Sequence, residues 1–258
     1  MFGLCKLCPH HTDQAGCAFP SKGDFPGRIL ELDQFELEPN QLLSSTTAGA
    51  GMAFIREGWA YTFRTTESGG RTVGGFYTAS DVLGLPLFFS RDFRYSARAM
   101  SNLKVCVVDM DDFTREVRRQ DSYFEYFLHE GGRMLWMVAD RVYDLAHRSA
   151  EERLCRAFLL IFLRANQGPG KLELDIPITQ EVLADLVGTS KIHINRLLIK
   201  LKKDRICHTS RGSMTVFNWD KLMQRAGVNA GEYDQWAKIN GVKPAAKAEI
   251  ETVPSELS

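Results

Sequence analysis

A chain of 258 residues, 44% hydrophobic and 25% charged, carries enough apolar material for one large or two modest cores, which excludes a disordered or low-complexity protein. Its 32 Lys and Arg balance its 32 Asp and Glu, so a bulk nucleic-acid coat is excluded and any basic face must be local. No stretch approaches the ~18 apolar residues of a membrane helix, and MFGLCKLCPHH has no apolar run of signal-peptide length. A cytoplasmic protein with no membrane partner is expected. In that compartment the 6 cysteines are not expected to form structural disulfides.

Residues 1–27 form a cysteine-rich segment. Cys5 and Cys8 make a Cys-x2-Cys pair, which puts two thiolates within reach of one metal or cluster, and Cys17 can fold back toward them. A fourth ligand must come from elsewhere. Two readings stay open at this point. Either His10 or His11 completes a zinc site, or a distant cysteine completes an iron–sulfur site; a tail of reduced thiols is the plain alternative.

Residues 28–120 change character. MAFIREG, WAYTFRTT, TVGGFYTAS, YSARAMSN and LKVCVVDM are rich in Phe, Tyr, Val and Thr and are separated by glycine and turn residues. Many short strands at close spacing predict an antiparallel β-roll or jelly roll. Cys106 sits in the last of these strands, where a lone cysteine is most often a core residue.

Residues 121–148 read as a long helix with a weak point at Gly131-Gly132. Leu135, Val138, Val142 and Leu145 recur at the 3-4-3 spacing of a coiled-coil seam. A parallel homodimer through this seam is expected. Residues 149–230 read as a winged helix-turn-helix. Residues 231–258 read as a mostly disordered tail.

The helix-turn-helix lies at Thr179–Ile206. Val182, Leu183, Leu186 and Val187 mark a first helix, Gly188-Thr189-Ser190 breaks it, and Ser190 caps a second. In the second helix Ile194, Leu197, Leu198 and Leu201 share one face. Ile192, Asn195 and Arg196 share the opposite one, with His193 and Lys200 at its edge. Between Gly188 and Gly212, 7 Lys or Arg stand against one acid, Asp204. ICHTSRGSMTVFNW follows as a two-stranded wing around Arg211. The expected partner is double-stranded DNA, with a palindromic operator matching a two-fold dimer. The expected contacts are Ser190, Lys191, Ile192, His193, Asn195, Arg196, Lys200 and Arg211. No nucleophile–base pair, paired-carboxylate motif or phosphate loop is evident, so an enzyme is not expected.

This α+β order, strand-rich roll, long helix, then winged helix-turn-helix, resembles the Crp/Fnr superfamily of bacterial transcription regulators. Ala150-Glu151-Glu152-Arg153-Leu154, the Thr179–Leu201 motif and the glycine-punctuated roll around Gly75-Phe76 and Gly84 carry the likeness. It implies a roll of the cyclic-nucleotide-binding type, a dimerisation helix, and contact with RNA polymerase. The cysteines look most like the oxygen-sensing Fnr branch. That likeness implies a 4Fe-4S cluster on Cys5, Cys8, Cys17 and Cys106, responsive to oxygen or nitric oxide. Cys155 and Cys207 have no counterpart and read as incidental thiols. Leu85 and Phe93 stand where the nucleotide-binding branch keeps its acid and its arginine, so no cyclic nucleotide is expected. Ile192 stands where the family commonly keeps an acid, so the operator should differ from the usual one. Rival readings keep the same fold with zinc, thiols alone, or haem on His129 or His147.

Overall fold

The computed structural model describes residues 32–44, 51–79, 81–90, 96–119, 121–165, 173–210 and 212–240. The chain divides into two compact units, Met1–Met137 and Val138–Ser258.

Among the described residues of the first unit, eight strands build two four-stranded antiparallel sheets. They are β1 (Leu32–Leu37), β2 (Leu42–Ser44), β3 (Met52–Glu57), β4 (Trp59–Thr65), β5 (Arg71–Thr78), β6 (Val82–Leu83), β7 (Ser96–Ala99) and β8 (Leu103–Val108). One sheet runs β1-β8-β3-β6 and the other β2-β7-β4-β5. Apolar residues at alternate positions meet between the sheets: Ala53 and Ile55 of β3, Ala97 and Ala99 of β7, and Leu103, Val105 and Val107 of β8. Leu85 and Leu87, on a short 3-10 helix at Leu85–Phe88, close the same core. The turn from β3 to β4 depends on Gly58. Its φ of 92° suits glycine, and a Cβ there would lie 2.1 Å from the Asn102 carbonyl oxygen.

After the roll, α1 (Met110–Val117) is capped by Asp109, whose carboxylate accepts from the amides of Asp111 and Asp112. The long helix α2 (Asp121–His147) then runs 27 residues. The weak point expected at Gly131-Gly132 does not interrupt it. Two glycines cost roughly 2 kcal/mol of helix propensity together. A buried ion cluster ties the turn after the pair to the roll. The Arg133 Nη2 atom lies 2.6 Å from Glu130 and 3.2 Å from Asp81 at the end of the β5–β6 turn. Burial disfavours the Arg133 charge, but the two carboxylates outweigh burial and raise its pKa.

The second unit holds the last turns of α2, then α3 (Ala150–Arg164), β9 (Glu173–Asp175), α4 (Gln180–Val187), α5 (Lys191–Lys203), β10 (Cys207–Ser210), β11 (Ser213–Val216), α6 (Trp219–Ala226) and α7 (Ala230–Ile239). Ser149 opens α3 with a capping box, exchanging hydrogen bonds with Glu152. Leu154, Phe158, Ile161 and Phe162 on α3 are buried, and the rings of Phe162, Trp219 and Tyr233 stack edge to face in series. Helix α7 corrects part of the expected disordered tail: Asn229 caps it, and Tyr233, Trp236 and Ala237 bury one face. Residues from 241 onward lie outside the described residues.

Arg156 is the polar centre of this unit. Its side chain is 1% exposed and meets Asp140 and Asp144 of α2 and Glu232 of α7, at 2.9–3.0 Å. Its guanidinium also lies over the Trp236 ring, 4.5 Å from the centroid.

Candidate nucleic-acid interface

Helices α4 and α5 are set by local chemistry. The Thr179 hydroxyl accepts from the Val182 amide, and the Ser190 hydroxyl accepts from the His193 amide. Between them Gly188 adopts φ 73°, ψ 50°, and the amides of Gly188 and Thr189 both donate to the Ala184 carbonyl. A Cβ on Gly188 would sit 3.2 Å from Leu145, so the tight turn and its packing both favour glycine. Two cations close the C-terminal end of α4. Arg141 Nη2 donates to the Leu186 carbonyl at 2.6 Å, and Arg153 Nε donates to the Val187 carbonyl at 2.8 Å.

Helix α5 buries Ile194, Leu197, Leu198 and Leu201. Lys191, Ile192, His193, Asn195, Arg196 and Lys200 are all exposed, on one continuous surface with the Ser190 cap at its head. Arg211 lies outside the described residues. The wing strands pair in the order β10-β11-β9. Three features escaped the sequence reading. Ile199 is as exposed as its neighbours and continues the Ile192–Arg196 stripe. Gln180 Nε2 reaches the Asn195 side-chain oxygen at 3.5 Å. Lys200 Nζ is held at 2.5 Å by Glu151, which also binds Arg225.

The cysteines divide. Cys5, Cys8 and Cys17 lie outside the described residues. Cys106 is buried, but it is not among the residues of the main β-roll cluster that holds its neighbours Val105 and Val107. Strand alternation therefore puts its sulfur on the other face of β8, with Lys104. It is 8% exposed, in register between Gln34 of β1 and Phe54 of β3. Phe54 in turn faces Tyr126 of α2, ring centroids 6.2 Å apart. Cys155 and Cys207 are fully buried, and burial pushes the Cys155 thiol up to about 12 and raises the Cys207 thiol as well. Both are inert at neutral pH. Among the described residues no group of three or more His, Cys, Asp or Glu is placed to hold a metal ion. His129 contacts Glu130, and the His147 ring lies against Tyr143.

On α2 the expected seam faces outward. Leu135 is 71% exposed, and Val138, Val142 and Leu145 are exposed as well. Phe124 and Leu128 extend the same 4-3 spacing toward the start of the helix, through Gly131. Leu85, where an acid would hold a ribose, is buried among core residues; Phe93 lies outside the described residues.

Residues 35–120 match the family model of a cyclic nucleotide-binding domain, and residues 152–225 match that of a Crp-like helix-turn-helix domain. The chain belongs to the Crp/Fnr family. It is a DNA-binding transcription regulator and not an enzyme. This Crp/Fnr protein is 25% identical over 175 residues to the fumarate and nitrate reduction regulatory protein of Escherichia coli K12, covering 67% of this chain and 70% of that one. It is 24% identical over 189 residues to the transcriptional activator protein FnrL of Cereibacter sphaeroides, covering 68% and 73%. Its fold is similar to that of FixK2 from Bradyrhizobium japonicum, with TM-score 0.65 at 18% identity over 76% of this chain and 97% of that one. A CooA mutant from Carboxydothermus hydrogenoformans shares the fold with TM-score 0.58 at 15% identity, over 76% and 88%. Among the described residues no helix is long and apolar enough to cross a membrane.

Proposed function

We propose that this Crp/Fnr regulator senses oxygen or redox state through a 4Fe-4S cluster held by Cys5, Cys8, Cys17 and Cys106, and binds a palindromic operator as a parallel homodimer in the cytoplasm. The observation that carries the cluster is the direction of Cys106. Strand alternation sets its sulfur on the face of β8 opposite Val105 and Val107, beside Phe54, and this supports a role for it outside the space between the two sheets. An all-thiolate set suits an iron–sulfur centre. When bound, the cluster supplies an oxygen- or nitric-oxide-labile link between the N-terminal segment and β8. Cys106 then anchors that link beside Phe54, and Phe54 relays its position to Tyr126 on α2. The Asp81–Arg133–Glu130 cluster ties the same part of α2 to the roll.

The exposed seam of Leu135, Val138, Val142 and Leu145 is apolar throughout, and a second copy in parallel register would cover it. An uncharged seam favours a dimer that persists without the cluster, so the switch lies in helix orientation. The bound dimer meets RNA polymerase at the promoter.

The test is the absorption spectrum of the full chain purified without oxygen. Iron–sulfur absorption that air bleaches, and that a Cys106→Ala variant lacks, is expected. A colourless protein with stoichiometric zinc overturns the cluster in favour of a zinc regulator, and a haem spectrum does so in favour of a haem sensor. Size-exclusion chromatography of aerobic and anaerobic protein tests the switch: a dimer in both is expected, and a monomer in air overturns control by orientation.

A further inference from the structure

We infer that Ile192 reads the C5-methyl group of a thymine in each operator half-site, which rests on α5 being the helix that enters the major groove. Ile192 is the second residue of α5, directly after the Ser190 cap, and the first turn of a recognition helix is the part that reaches base edges. Its side chain is 68% exposed. The inward face of α5 is already filled by Ile194, Leu197, Leu198 and Leu201, so Ile192 packs no core.

An exposed helical position is better served by Lys, Glu or Ala. Isoleucine loses χ1 freedom there and leaves apolar surface in water. A ligand that buries the side chain removes the second cost. In the major groove the apolar group that base edges offer is the thymine methyl, and isoleucine neither donates nor accepts a hydrogen bond. Arg196 lies one turn further along the same stripe, with a guanidinium suited to guanine. The pair therefore specifies a half-site by one methyl contact and one bidentate contact. The polar neighbours do not compete for that methyl. Lys191 Nζ is drawn to Glu181 at 2.8 Å, and Asn195 meets Gln180.

The experiment uses the full-length protein, prepared without oxygen, and a library of random-sequence duplexes. The enriched site is resynthesised with deoxyuridine replacing each thymidine in turn, which deletes one methyl and no hydrogen-bonding group. At one position of each half-site the exchange should weaken wild-type binding about fourfold, the effect of one buried methyl-sized group. Ile192→Ala should bind thymidine and deoxyuridine forms of that position equally, while Ile199→Ala keeps the discrimination. A tightly bound site in which no single exchange weakens binding overturns the inference and leaves DNA binding intact. So does a deoxyuridine penalty that Ile192→Ala retains. A library that shows no enrichment overturns the DNA-binding role of α5 together with the inference.

Discussion

Arg141 of the long helix donates from Nη2 to the main-chain carbonyl of Leu186 at 2.6 Å, joining α2 directly to the last turn of α4. Beside it Leu145 packs against Gly188, so the pivot of the helix-turn-helix rests on the same stretch of α2. Arg141→Ala should leave that carbonyl with a weaker partner and cost about 1–2 kcal/mol of stability in the second unit. A lowered denaturant midpoint reads the cost directly. Operator affinity should fall as well, because the end of α4 sets where α5 begins. An unchanged midpoint would show that solvent replaces the arginine fully.

Arg156 answers three carboxylates with one guanidinium. Burial raises the Asp144 pKa, and Arg156 works against that rise. Arg156→Met keeps most of the volume and removes the charge, leaving Asp140, Asp144 and Glu232 around an apolar chain. The expected loss is about 3–5 kcal/mol, the range for breaking a buried ion pair by removing one partner. A triple change that also neutralises Asp140, Asp144 and Glu232 as Asn, Asn and Gln should recover part of it. Thermal unfolding of the two variants makes the comparison.

His208 of β10 gives the wing a pH dependence. Burial lowers its pKa below 6.5, and Lys202 lowers it further. The folded state therefore resists protonation more than the unfolded chain does. The stability tied to neutral His208 is full above pH 6.5 and is lost as pH falls through 6.5 toward the folded-state pKa. Unfolding free energy measured between pH 5 and 8 should decline on the acid side, and His208→Gln should flatten that decline.

The seam on α2 makes a prediction about assembly. Leu135 and Val142 are exposed, so Leu135→Glu with Val142→Glu should leave the protomer folded. Like charges facing each other in a dimer would oppose pairing. Sedimentation should show a monomer, and binding to a two-half-site operator should fall more than 100-fold, since one recognition helix then acts alone. A stable dimer in the double variant would move the interface elsewhere.

Where local spacing decides structure, it was legible. The α4–α5 pair follows from apolar spacing, a left-handed glycine and two hydroxyl caps, all within about thirty residues. The direction of Cys106 follows from strand alternation. Other features depend on residues far apart in the chain. Gly131-Gly132 looks like a break, and nothing near it announces that Asp81, about fifty residues earlier, meets Arg133 beside the pair. The partners of Arg156 lie 12 to 76 residues away, and nothing near Arg156 announces them. Helix α7 was legible in principle, since Asn229 is a cap and Tyr233, Trp236 and Ala237 are spaced for one face. A polar, lysine-bearing continuation hid it within an apparent tail.

Glu151 gives Lys200 a counterion of its own, shared with Arg225. A free lysine that meets a phosphate expels a condensed cation from the DNA, and this release makes binding weaken with salt. Glu151 instead keeps a negative charge beside Lys200, so the pair brings less net positive charge to a phosphate and displaces the condensed cation less completely. The Lys200 contact adds position without adding much salt dependence. The recognition helix should thus show a shallower slope of log affinity against log salt than its count of basic residues suggests, and Glu151→Gln should steepen that slope.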